Sequence, residues 1–504
     1  MRTVKSNLKN TMESKDIVRT TKPKSPRFLA IITALGAGLY PVIFYYTNNY
    51  SLINSWKHLG FFIALFLVVP IVVFVFFDWL FKIPKLIKWH KHVLPFLNIF
   101  TFFLFIQLCL YTTLQWLFTL LILGLAILFS IFLYQFFRKL VALQLILAFV
   151  GLFWLIPTIN TQLSYSSEWM LLPDDIEQVV FKKRPNVYYI QPDGYLNISE
   201  MNTGYYKIDN DDYDSFLKEK GFKLYRDIRS NYTSTLVSNS ATFSMMHHYY
   251  NNGFNFSEIA NAREVIISKN AVLDIFKNNN YKTHYIAEIS YLLNNFPEMG
   301  YDACNFDYKD IAFITDGFKR EEDIVKPVRK FLNEDTVTSK FFFIEIFKPG
   351  HVESDEQKTT GKEREFEMYK EKLKIANERI KNVINLIQEN DPEGLIMIMA
   401  DHGGYAGYDN MLDIRKKTMD RDLLYSAFST QLSIKWPNNE APVFDTKFNS
   451  SVNVFRILFS YMSENEKYLK HLQDEGSYTL IEEGAPKGIY KVIDEDGTVT
   501  FKKH

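Results

Sequence analysis

Three short segments of the sequence combine acidic residues, histidine and glycine in a pattern that suits metal chemistry. Asp193 and Asp401 each stand in a glycine-containing segment, His402 directly follows the second of them, and His351 lies in a third segment. Carboxylates and imidazoles are ligands of zinc, manganese and similar divalent ions. A single Asp-Gly pair most often marks a turn, but two such segments together with an adjacent histidine favour a metal site.

A hydroxyl-rich stretch at residues 231–240 is a second source of chemistry. Hydroxyl residues that precede a helix most often cap its N-terminus. The same position can also hold an anion against free backbone amides, and a nearby metal could turn a hydroxyl into a nucleophile. The stretch itself leaves both interpretations open. Its candidate hydroxyls are Thr233, Ser234, Thr235 and Ser238.

The elements that position these residues follow an α/β pattern. Four short β-branched and aromatic runs read as strands buried on both faces, and they are Asn186–Gln191, Tyr281–Ile286, Lys340–Phe347 and Leu395–Ala400. Residues 363–388 carry an apolar stripe at helical spacing. Strands that alternate with helices predict a mostly parallel sheet flanked by helices. Ligands bind beyond the carboxyl ends of such strands, where the acidic residues and histidines stand. Residues 489–501 predict a terminal hairpin around Asp496-Gly497.

The first third of the chain predicts a membrane region. Residues 1–160 hold 15 basic and 3 acidic residues among long apolar runs. Five runs approach the roughly 20 residues that a membrane-spanning helix needs, and they are Phe28–Tyr45, Gly60–Phe81, Val93–Thr113, Trp116–Phe137 and Leu140–Ile159. We therefore divide the chain into a basic tail (1–27), a region of five transmembrane helices (28–160) and a soluble domain (161–504). A cleavable signal peptide is a weaker interpretation of the first run, because four more spans follow.

The basic residues also predict the orientation of these spans. The N-terminal tail, the loop 82–92 and the junction 138–139 are basic, whereas the loops near 46–57 and 113–115 offer only Lys57. Basic loops stay in the cytoplasm, so an odd number of spans places residues 161–504 outside it. We expect a multi-pass protein of the inner or plasma membrane with an extracytoplasmic domain. A transporter is disfavoured because Asp78 is the one acidic residue within the spans.

Composition excludes two further classes of protein. Residues 161–504 carry more acidic than basic residues, whereas a nucleic-acid binder concentrates basic charge on its folded domain. The two cysteines, Cys109 and Cys304, permit neither a disulfide framework nor a cysteine-based metal site. We therefore expect no nucleic-acid partner.

The motifs in their order resemble the alkaline phosphatase superfamily, specifically its sulfatase-like branch. The resemblance covers roughly Arg184–Trp436: NVYYIQPDGY is similar to the first metal-binding strand, TLVS to the nucleophile turn, and the long helix, strand and ADHGG to the Asp-His ligand pair. Membrane spans followed by an extracytoplasmic domain further resemble phosphoethanolamine transferases and lipoteichoic acid synthases. The resemblance implies an alkaline-phosphatase-like domain.

The resemblance also implies roles for individual residues. One divalent ion, zinc or manganese, would be held by Asp193, Thr235, Asp401 and His402. Thr235 would also be the catalytic nucleophile, His351 would act near the substrate oxygens, and Ser238, three residues after Thr235, would bind substrate.

Two departures from the family pattern limit these implications. Val237 and Asn239 stand where formylglycine-dependent sulfatases have Pro and Arg, and Thr cannot be converted to formylglycine, so true sulfatase activity is disfavoured. Gly350 breaks the Pro-His spacing common in sulfatases, which weakens the role of His351. A second metal would need further ligands, and the candidates are His247, His248 and His284. We expect these three to be core residues, or residues that pack behind the ligands, instead.

The leading functional hypothesis is a ping-pong transfer. A phospho-substituent would pass from a membrane lipid donor to Thr235, and from this phospho-threonine to a glycan or lipid acceptor. The first alternative is a phosphate or sulfate ester hydrolase of the same superfamily, with water as the acceptor. The second alternative is a non-catalytic membrane assembly or sensor protein that retains the fold.

Overall fold

A computed structural model describes residues 26–504, except for residues 112, 253–258, 316, 319, 336 and 355–357. Almost all of the predicted basic tail lies outside the described residues. The chain forms two compact units. In the described part, the first unit contains the residues up to Tyr45 together with Phe62–Phe153, and the second contains Tyr46–Phe61 and Trp154–His504.

Apolar helices begin the chain, and their bounds are α1 Pro26–Ile53, α2 Trp56–Ile63, α3 Val69–Leu80, α4 His90–Tyr111, α5 Trp116–Phe132 and α6 Phe137–Leu163. Helices α2 and α3 are joined by a π-helical stretch and form one span, Trp56–Leu80. Four spans are long and apolar enough to cross a membrane, while Trp116–Phe132 is shorter at 17 residues. The five-helix region is thus confirmed. Helix α5 ends before the predicted Phe137 because the backbone of Leu133 leaves the helical conformation.

Asp78, the acidic residue of the predicted spans, is neutralised within the first unit. Its carboxylate lies 2.5 Å from the Lys82 ammonium nitrogen and 2.9 Å from Nε2 of His90. The aspartate itself is buried. A carboxylate paired in this way serves the packing of α3 and α4.

The second unit is built on a seven-stranded sheet with the order β2-β7-β6-β1-β5-β3-β4. The strands are β1 Val187–Pro192, β2 Lys223–Tyr225, β3 Lys282–Ala287, β4 Ala303–Cys304, β5 Lys340–Ile346, β6 Leu395–Met399 and β7 Leu432–Lys435. Strand β1 pairs in parallel with β5 on one side and with β6 on the other, and β7 is antiparallel to β6. The mostly parallel sheet and the four predicted strands are therefore confirmed.

Helices cover both faces of this sheet, as the apolar strands require. The helices of the second unit are α7 Ile198–Met201, α8 Asp211–Glu219, α9 Thr235–Ser244, α10 Ala262–Ile267, α11 Ala271–Asn278, α12 Val325–Asn333, α13 Lys362–Asn390, α14 Arg421–Phe428 and α15 Val454–Ser463. Tyr189 of β1 packs on the face covered by α9, α11 and α15, and Tyr188 packs on the opposite face, covered by α12 and α13. The predicted helix over 363–388 is α13.

A small antiparallel sheet of the order β10-β9-β8 completes the second unit. Its strands are β8 Ser477–Ile481, β9 Gly488–Ile493 and β10 Val499–Lys503. Strands β9 and β10 form the predicted terminal hairpin. Strand β8, which the sequence did not predict, carries backbone and side-chain contacts to the segment that precedes α9. Asn231 accepts from the Tyr478 backbone, and Ser230 accepts from the Ser477 hydroxyl.

Candidate metal centre and cavity

The segments that follow β1, β5 and β6 meet at one edge of the sheet because β1 lies between the other two strands. Asp193 directly follows β1, and its backbone N–H donates to the carbonyl of Ile346, the last residue of β5. The N–H of Gly350 donates in turn to the carbonyl of Asp193, at 2.9 Å. These bonds fix the segment of His351 against that of Asp193, and Asp401 and His402 follow β6 at the same edge.

Two glycines beside the acidic residues are required by close backbone approach. Gly194 has a φ of 66°, and a Cβ at this position would lie 2.2 Å from the carbonyl oxygen of Gly350. A Cβ on Gly403 would lie 2.2 Å from the carbonyl oxygen of Ser426. Only glycine avoids these clashes, so the two glycines do more than form turns: they let the ligand-bearing segments pack together.

Asp193, Asp401 and His402 form a buried group whose ligand atoms lie within 4.8 Å of one another. Nε2 of His402 is 3.4 Å from Oδ1 of Asp193 and 3.5 Å from Oδ2 of Asp401. The other ring nitrogen, Nδ1, donates to the carbonyl of Gly403 at 2.8 Å, which leaves Nε2 with its lone pair. Oδ2 of Asp401 is buried and has no hydrogen-bond partner among the described residues. This donor set fits a divalent cation such as zinc.

The electrostatics of the group agree with this fit. Burial raises the pKa of Asp193 and of Asp401, since a buried carboxylate is costly to ionise. Burial acts against protonation of His402, but the two neighbouring carboxylates outweigh it and raise the pKa of the ring. Burial therefore penalises the ionised carboxylates, and a bound cation would offset that penalty.

Thr235 is the first residue of α9, and its hydroxyl faces this group. Oγ1 of Thr235 lies 3.4 Å from Oδ1 of Asp193 and 3.4 Å from Nε2 of His402. The N-cap of the helix is Ser234, in an extended conformation. Thr235 therefore does not cap the helix, and the structure brings together all four residues that the resemblance implied as metal ligands.

Ser238 has protein partners where the resemblance implied a substrate. Its side chain is fully buried, and its hydroxyl donates to the backbone carbonyl of Asp401 at 2.7 Å. The same hydroxyl lies 2.8 Å from Oγ of Ser230. Because Ser238 stands one helical turn after Thr235, these bonds tie the first turn of α9 to the segment that carries Asp401 and His402.

A cavity of about 640 Å³ opens over the group and includes Asp193, Thr235, His351 and His402 in its wall. The ring centroids of His351 and His402 are 5.6 Å apart. Burial lowers the pKa of His351 to about 4, so the ring is neutral near pH 7. Nδ1 of His351 donates to the carbonyl of Val352 at 2.5 Å, which leaves Nε2 as a hydrogen-bond acceptor on the cavity wall.

Several cavity residues were missed from the sequence. Cations on the wall include Lys372 of α13 and Arg415, which also pairs with Glu482 at 3.1 Å. The charge of Lys372 lowers the pKa of Asp193, against the larger effect of burial. The sequence held a signal for Lys372, which lies three residues after Tyr369 of the predicted apolar stripe. In the structure, the Tyr369 hydroxyl donates to the carbonyl of Gly194, which brings this part of α13 to the site. The aromatic part of the wall had no signal, and its residues are Tyr250, Tyr291, Phe318 and Phe347.

The three additional histidines lie apart from this group. Among the described residues, Asp193, Asp401 and His402 form the one cluster of three or more histidine, cysteine or acidic residues with metal-binding spacing. His247 bonds to Tyr232, and His248 bonds to the carbonyl of Val237. His284 of β3 stacks on Phe342 with ring centroids 4.6 Å apart. These contacts agree with the expectation that the three are core residues.

Comparison with known proteins places the chain in a family. The sequence profile of the sulfatase family matches residues 202–463, which is more than half of the chain. The chain therefore belongs to the sulfatase family, a group of enzymes of the alkaline phosphatase superfamily. The matched range contains Thr235, His351, Asp401 and His402, while Asp193 precedes it. No curated protein sequence matches the chain significantly.

Matches among solved structures include phosphoethanolamine-transferase-type and lipoteichoic-acid-synthase chains, with TM-scores below 0.5. The C-terminal periplasmic domain of EptC from Escherichia coli shares 10% identity, covers 65% of this chain and 98% of its own, and has a TM-score of 0.44. The C-terminal periplasmic domain of the phosphoethanolamine transferase EptC from Campylobacter jejuni shares 13% identity, covers 56% of this chain and 90% of its own, and has a TM-score of 0.36. The lipoteichoic acid synthase LtaP from Listeria monocytogenes shares 12% identity, with 65% and 91% coverage and a TM-score of 0.41.

Proposed function

We propose that this membrane protein transfers a phospho-substituent from the headgroup of a membrane lipid to a hydroxyl group of a glycan or lipid acceptor. The observation that carries the proposal is the position of Thr235. Its hydroxyl is 3.4 Å from both a buried carboxylate and a buried imidazole, at the first turn of a helix and on the wall of a cavity. A hydroxyl in this environment is suited to nucleophilic catalysis.

One divalent ion, zinc or manganese, would be held by Asp193, Asp401 and His402, with Thr235 as a fourth ligand. When bound, such an ion supplies positive charge that lowers the pKa of a neighbouring hydroxyl and stabilises charge on phosphoryl oxygens. The unpartnered Oδ2 of Asp401 and the position of Nε2 of His402 beside both carboxylates support this assignment.

The residues of the chain would divide the reaction into two displacements. Oγ1 of Thr235 forms a bond to phosphorus, and the lipid alcohol leaves with a proton. The acceptor hydroxyl then attacks the same phosphorus, and the Thr235 hydroxyl is restored. The backbone amides in the first turn of α9 bind the phosphoryl oxygens, as helix N-termini bind anions. Nε2 of His351 accepts a hydrogen bond from the acceptor hydroxyl and orients it.

An extracytoplasmic location of the site is supported by the segment Tyr46–Phe61, which holds the end of α1 and the beginning of α2 and belongs to the second unit. Within the second unit, the side-chain amide of Asn295 donates to Asn54 at 3.1 Å, and the ring of His58 packs edge-on against Phe296 and Phe313. This segment and the catalytic domain therefore lie on one side of the membrane. Three long spans and the shorter helix α5 lie between them. With α5 counted as a span the number is even, which brings the chain back to that side. The basic loops assign the opposite side to the cytoplasm.

Hydrolysis is the alternative outcome of the same centre. Water would take the place of the acceptor in the second displacement, while the first displacement would be unchanged. The membership in an enzyme family, together with Thr235 beside a complete ligand group, speaks against the non-catalytic alternative.

Trapping of the covalent intermediate tests the proposal. The purified full-length protein, loaded with zinc or manganese, is mixed with vesicles of phosphatidylethanolamine or phosphatidylglycerol and quenched in acid. We expect a peptide that contains Thr235 to carry the mass of the phosphorylated headgroup. Octyl glucoside, added as an acceptor, should then take the group in competition with water and without a proportional rise in donor consumption. A complete absence of modified peptide and product would reject the proposal, and release to water alone would identify a hydrolase.

A further inference from the structure

Lys372 is a cation of the cavity wall that has no counter-charge. It stands on α13, its side chain is partly buried, and it lines the cavity over the metal centre. Among the described residues it forms no ion pair and no hydrogen bond. Arg415 of the same wall, by contrast, pairs with Glu482 at 3.1 Å. A partly buried charge without a partner is costly, so we looked for the group that Lys372 would meet when substrate is bound.

The position of Lys372 on α13 explains why it has no partner and why it faces the site. Residues three and four positions away share a helix face. None of these is acidic for Lys372, and they are Met368, Tyr369, Ile375 and Ala376. The Tyr369 hydroxyl donates to the carbonyl of Gly194 at 3.1 Å, which fixes this part of the helix beside Asp193. Burial is the main influence on the pKa of Asp193 and of His351, and the charge of Lys372 lowers both by a smaller amount.

Lys372 and the proposed nucleophile approach the cavity from opposite faces of the sheet. Helix α9, which begins at Thr235, packs on the face of Tyr189, whereas α13 packs on the face of Tyr188. In phosphoryl transfer the attacking and leaving oxygens lie roughly in line on opposite sides of phosphorus. A leaving oxygen that departs away from Thr235 therefore moves toward the side of the cavity to which α13 contributes Lys372.

Other polar residues of the wall are poor proton donors for this oxygen. Burial lowers the pKa of His351 to about 4, and the one N–H of its neutral ring donates to the carbonyl of Val352. The guanidinium of Arg415 is paired with Glu482, and a guanidinium does not give up its proton in proteins. The ammonium of Lys372 has three N–H groups and no protein acceptor among the described residues.

We propose that Lys372 is the general acid of the first displacement and protonates the lipid oxygen as its bond to phosphorus breaks. This inference rests on the proposed function and adds a catalytic residue to it. The hydroxyl proton of Thr235 passes to solvent, and Oγ1 bonds to phosphorus. The electron pair of the broken bond stays on the lipid oxygen, which takes a proton from Nζ of Lys372. The resulting amine regains a proton from solvent, so the step neither consumes nor releases protons overall.

The experiment varies the need of the leaving group for a proton. Phosphatidylethanolamine and phosphatidylglycerol in vesicles release an aliphatic alcohol. The p-nitrophenyl esters of phosphoethanolamine and of glycerol phosphate transfer the same groups, but p-nitrophenolate leaves without a proton because it is weakly basic. We measure kcat/KM of the full-length, metal-loaded protein, because this constant covers the steps up to release of the leaving group. In Lys372→Met we expect kcat/KM to fall about 100-fold or more for the lipid and less than about tenfold for the matching nitrophenyl ester.

Three further variants separate a proton donor from a mere positive charge. Lys372→Arg keeps the charge but is a poor acid, so it should restore kcat/KM for the nitrophenyl ester and not for the lipid. Lys358→Met removes another lysine from the same wall, and Lys374→Met removes an exposed lysine of α13 outside the wall. We expect both to keep the wild-type ratio of the two constants.

Two results would overturn the assignment and leave the proposed function intact. The first is an equal loss for both substrates in Lys372→Met, or recovery of both in Lys372→Arg, since Lys372 would then act through its charge or through packing. The second is a loss confined to the lipid in Lys358→Met, which would assign the acid to Lys358. If wild type turns over none of the four diesters, the proposed function itself is rejected.

Discussion

Helix α9 has buried histidines close to both of its ends. His402 faces Thr235, the first residue of the helix, and His247 and His248 follow Met245, whose left-handed conformation ends it. All three rings are buried. They differ in their partners. His402 bonds one backbone carbonyl and faces two carboxylates, whereas His247 bonds the Tyr232 hydroxyl and the carbonyl of Asp474, and both nitrogens of His248 meet backbone groups.

The partners decide what burial does to each ring. Burial lowers the pKa of His247 to about 4 and that of His248 to about 3, since a charged imidazole is costly in a low-dielectric interior. At His402 the adjacent carboxylates reverse this effect and raise the pKa. Two neutral, fully bonded histidines therefore stabilise one end of the helix, whereas at the other end His402 and two buried carboxylates form the candidate metal site. Residue type alone does not separate the two ends.

Removal of the nucleophile should have the largest effect. Thr235→Ala should lose several orders of magnitude in transfer rate, because it removes the hydroxyl that we propose as the nucleophile. It should fold and insert normally, since Ser234 and not Thr235 is the N-cap of α9. Activity and trapped peptide are measured in parallel in Thr233→Ala and Ser234→Ala, which we expect to stay within about tenfold of wild type. Loss of activity in one of these variants, with turnover retained in Thr235→Ala, would move the nucleophile to another hydroxyl.

The metal content should distinguish the two ends of the helix directly. His402→Ala should hold less than about half an equivalent of metal, because a three-residue group loses one of its ligands. His248→Asn should keep the stoichiometry of wild type, since its ring bonds only backbone groups. Both purified proteins are analysed by mass spectrometry of the metals and by circular dichroism. Full occupancy in His402→Ala would contradict the assigned ligand group.

An intermediate effect is expected from the bond that ties α9 to Asp401. Ser238→Ala removes a buried hydrogen bond of 2.7 Å to the Asp401 carbonyl, which is worth about 1 kcal/mol and should lower kcat about fivefold to tenfold while metal content is kept. Ser240→Ala is the matched control because its buried hydroxyl bonds Leu236 within the same helix. Equal losses of kcat in the two variants would show that Ser238 has no positioning role.

The sequence predicted the parts of the site that local patterns encode. The apolar runs of β1, β5 and β6 are continuous, so the Asp and His residues that follow them could be assigned to one edge of a parallel sheet. The role of Ser238 was out of reach, because its partner Asp401 is 163 residues away. Tyr291 and Phe318 were missed for the same reason: they reach the cavity through irregular segments, and only the packing of the whole domain brings them beside Phe347.

Element boundaries were predicted least well where the signal was short. Strand β4 has two residues and β2 has three, which is too few for a periodic pattern. Strand β8 is longer, but Ser477–Ile481 alternates polar and apolar residues that are all buried against the segment before α9. In the membrane region, uniform apolarity fixed the existence of five helices and left their ends open, as the early end of α5 shows.

The smallest expected effect concerns His247 and the dependence of stability on pH. Its pKa is lowered to about 4 in the folded protein, whereas the unfolded chain binds the proton near 6.5. Acid therefore favours the unfolded state: the contribution of His247 is complete above about pH 6.5 and is lost as the pH falls toward 4. At about pH 5 the loss is on the order of 1–2 kcal/mol. His247→Asn removes this titration.

The apparent Tm of wild type and His247→Asn is measured at about pH 7.5 and pH 5, a window that spans the ordinary pKa of histidine. The variant should be less stable than wild type at both values, because its shorter side chain loses part of the bonding to Tyr232 and Asp474. It should nevertheless lose less stability on acidification, because residue 247 no longer titrates. The loss that remains comes in part from His248 and His284, whose pKa values are also lowered by burial. Parallel losses in the two proteins would mean that His247 is accessible to protons in the folded state. The contrast between a neutral end and a charged end of α9 would then depend on His248 alone.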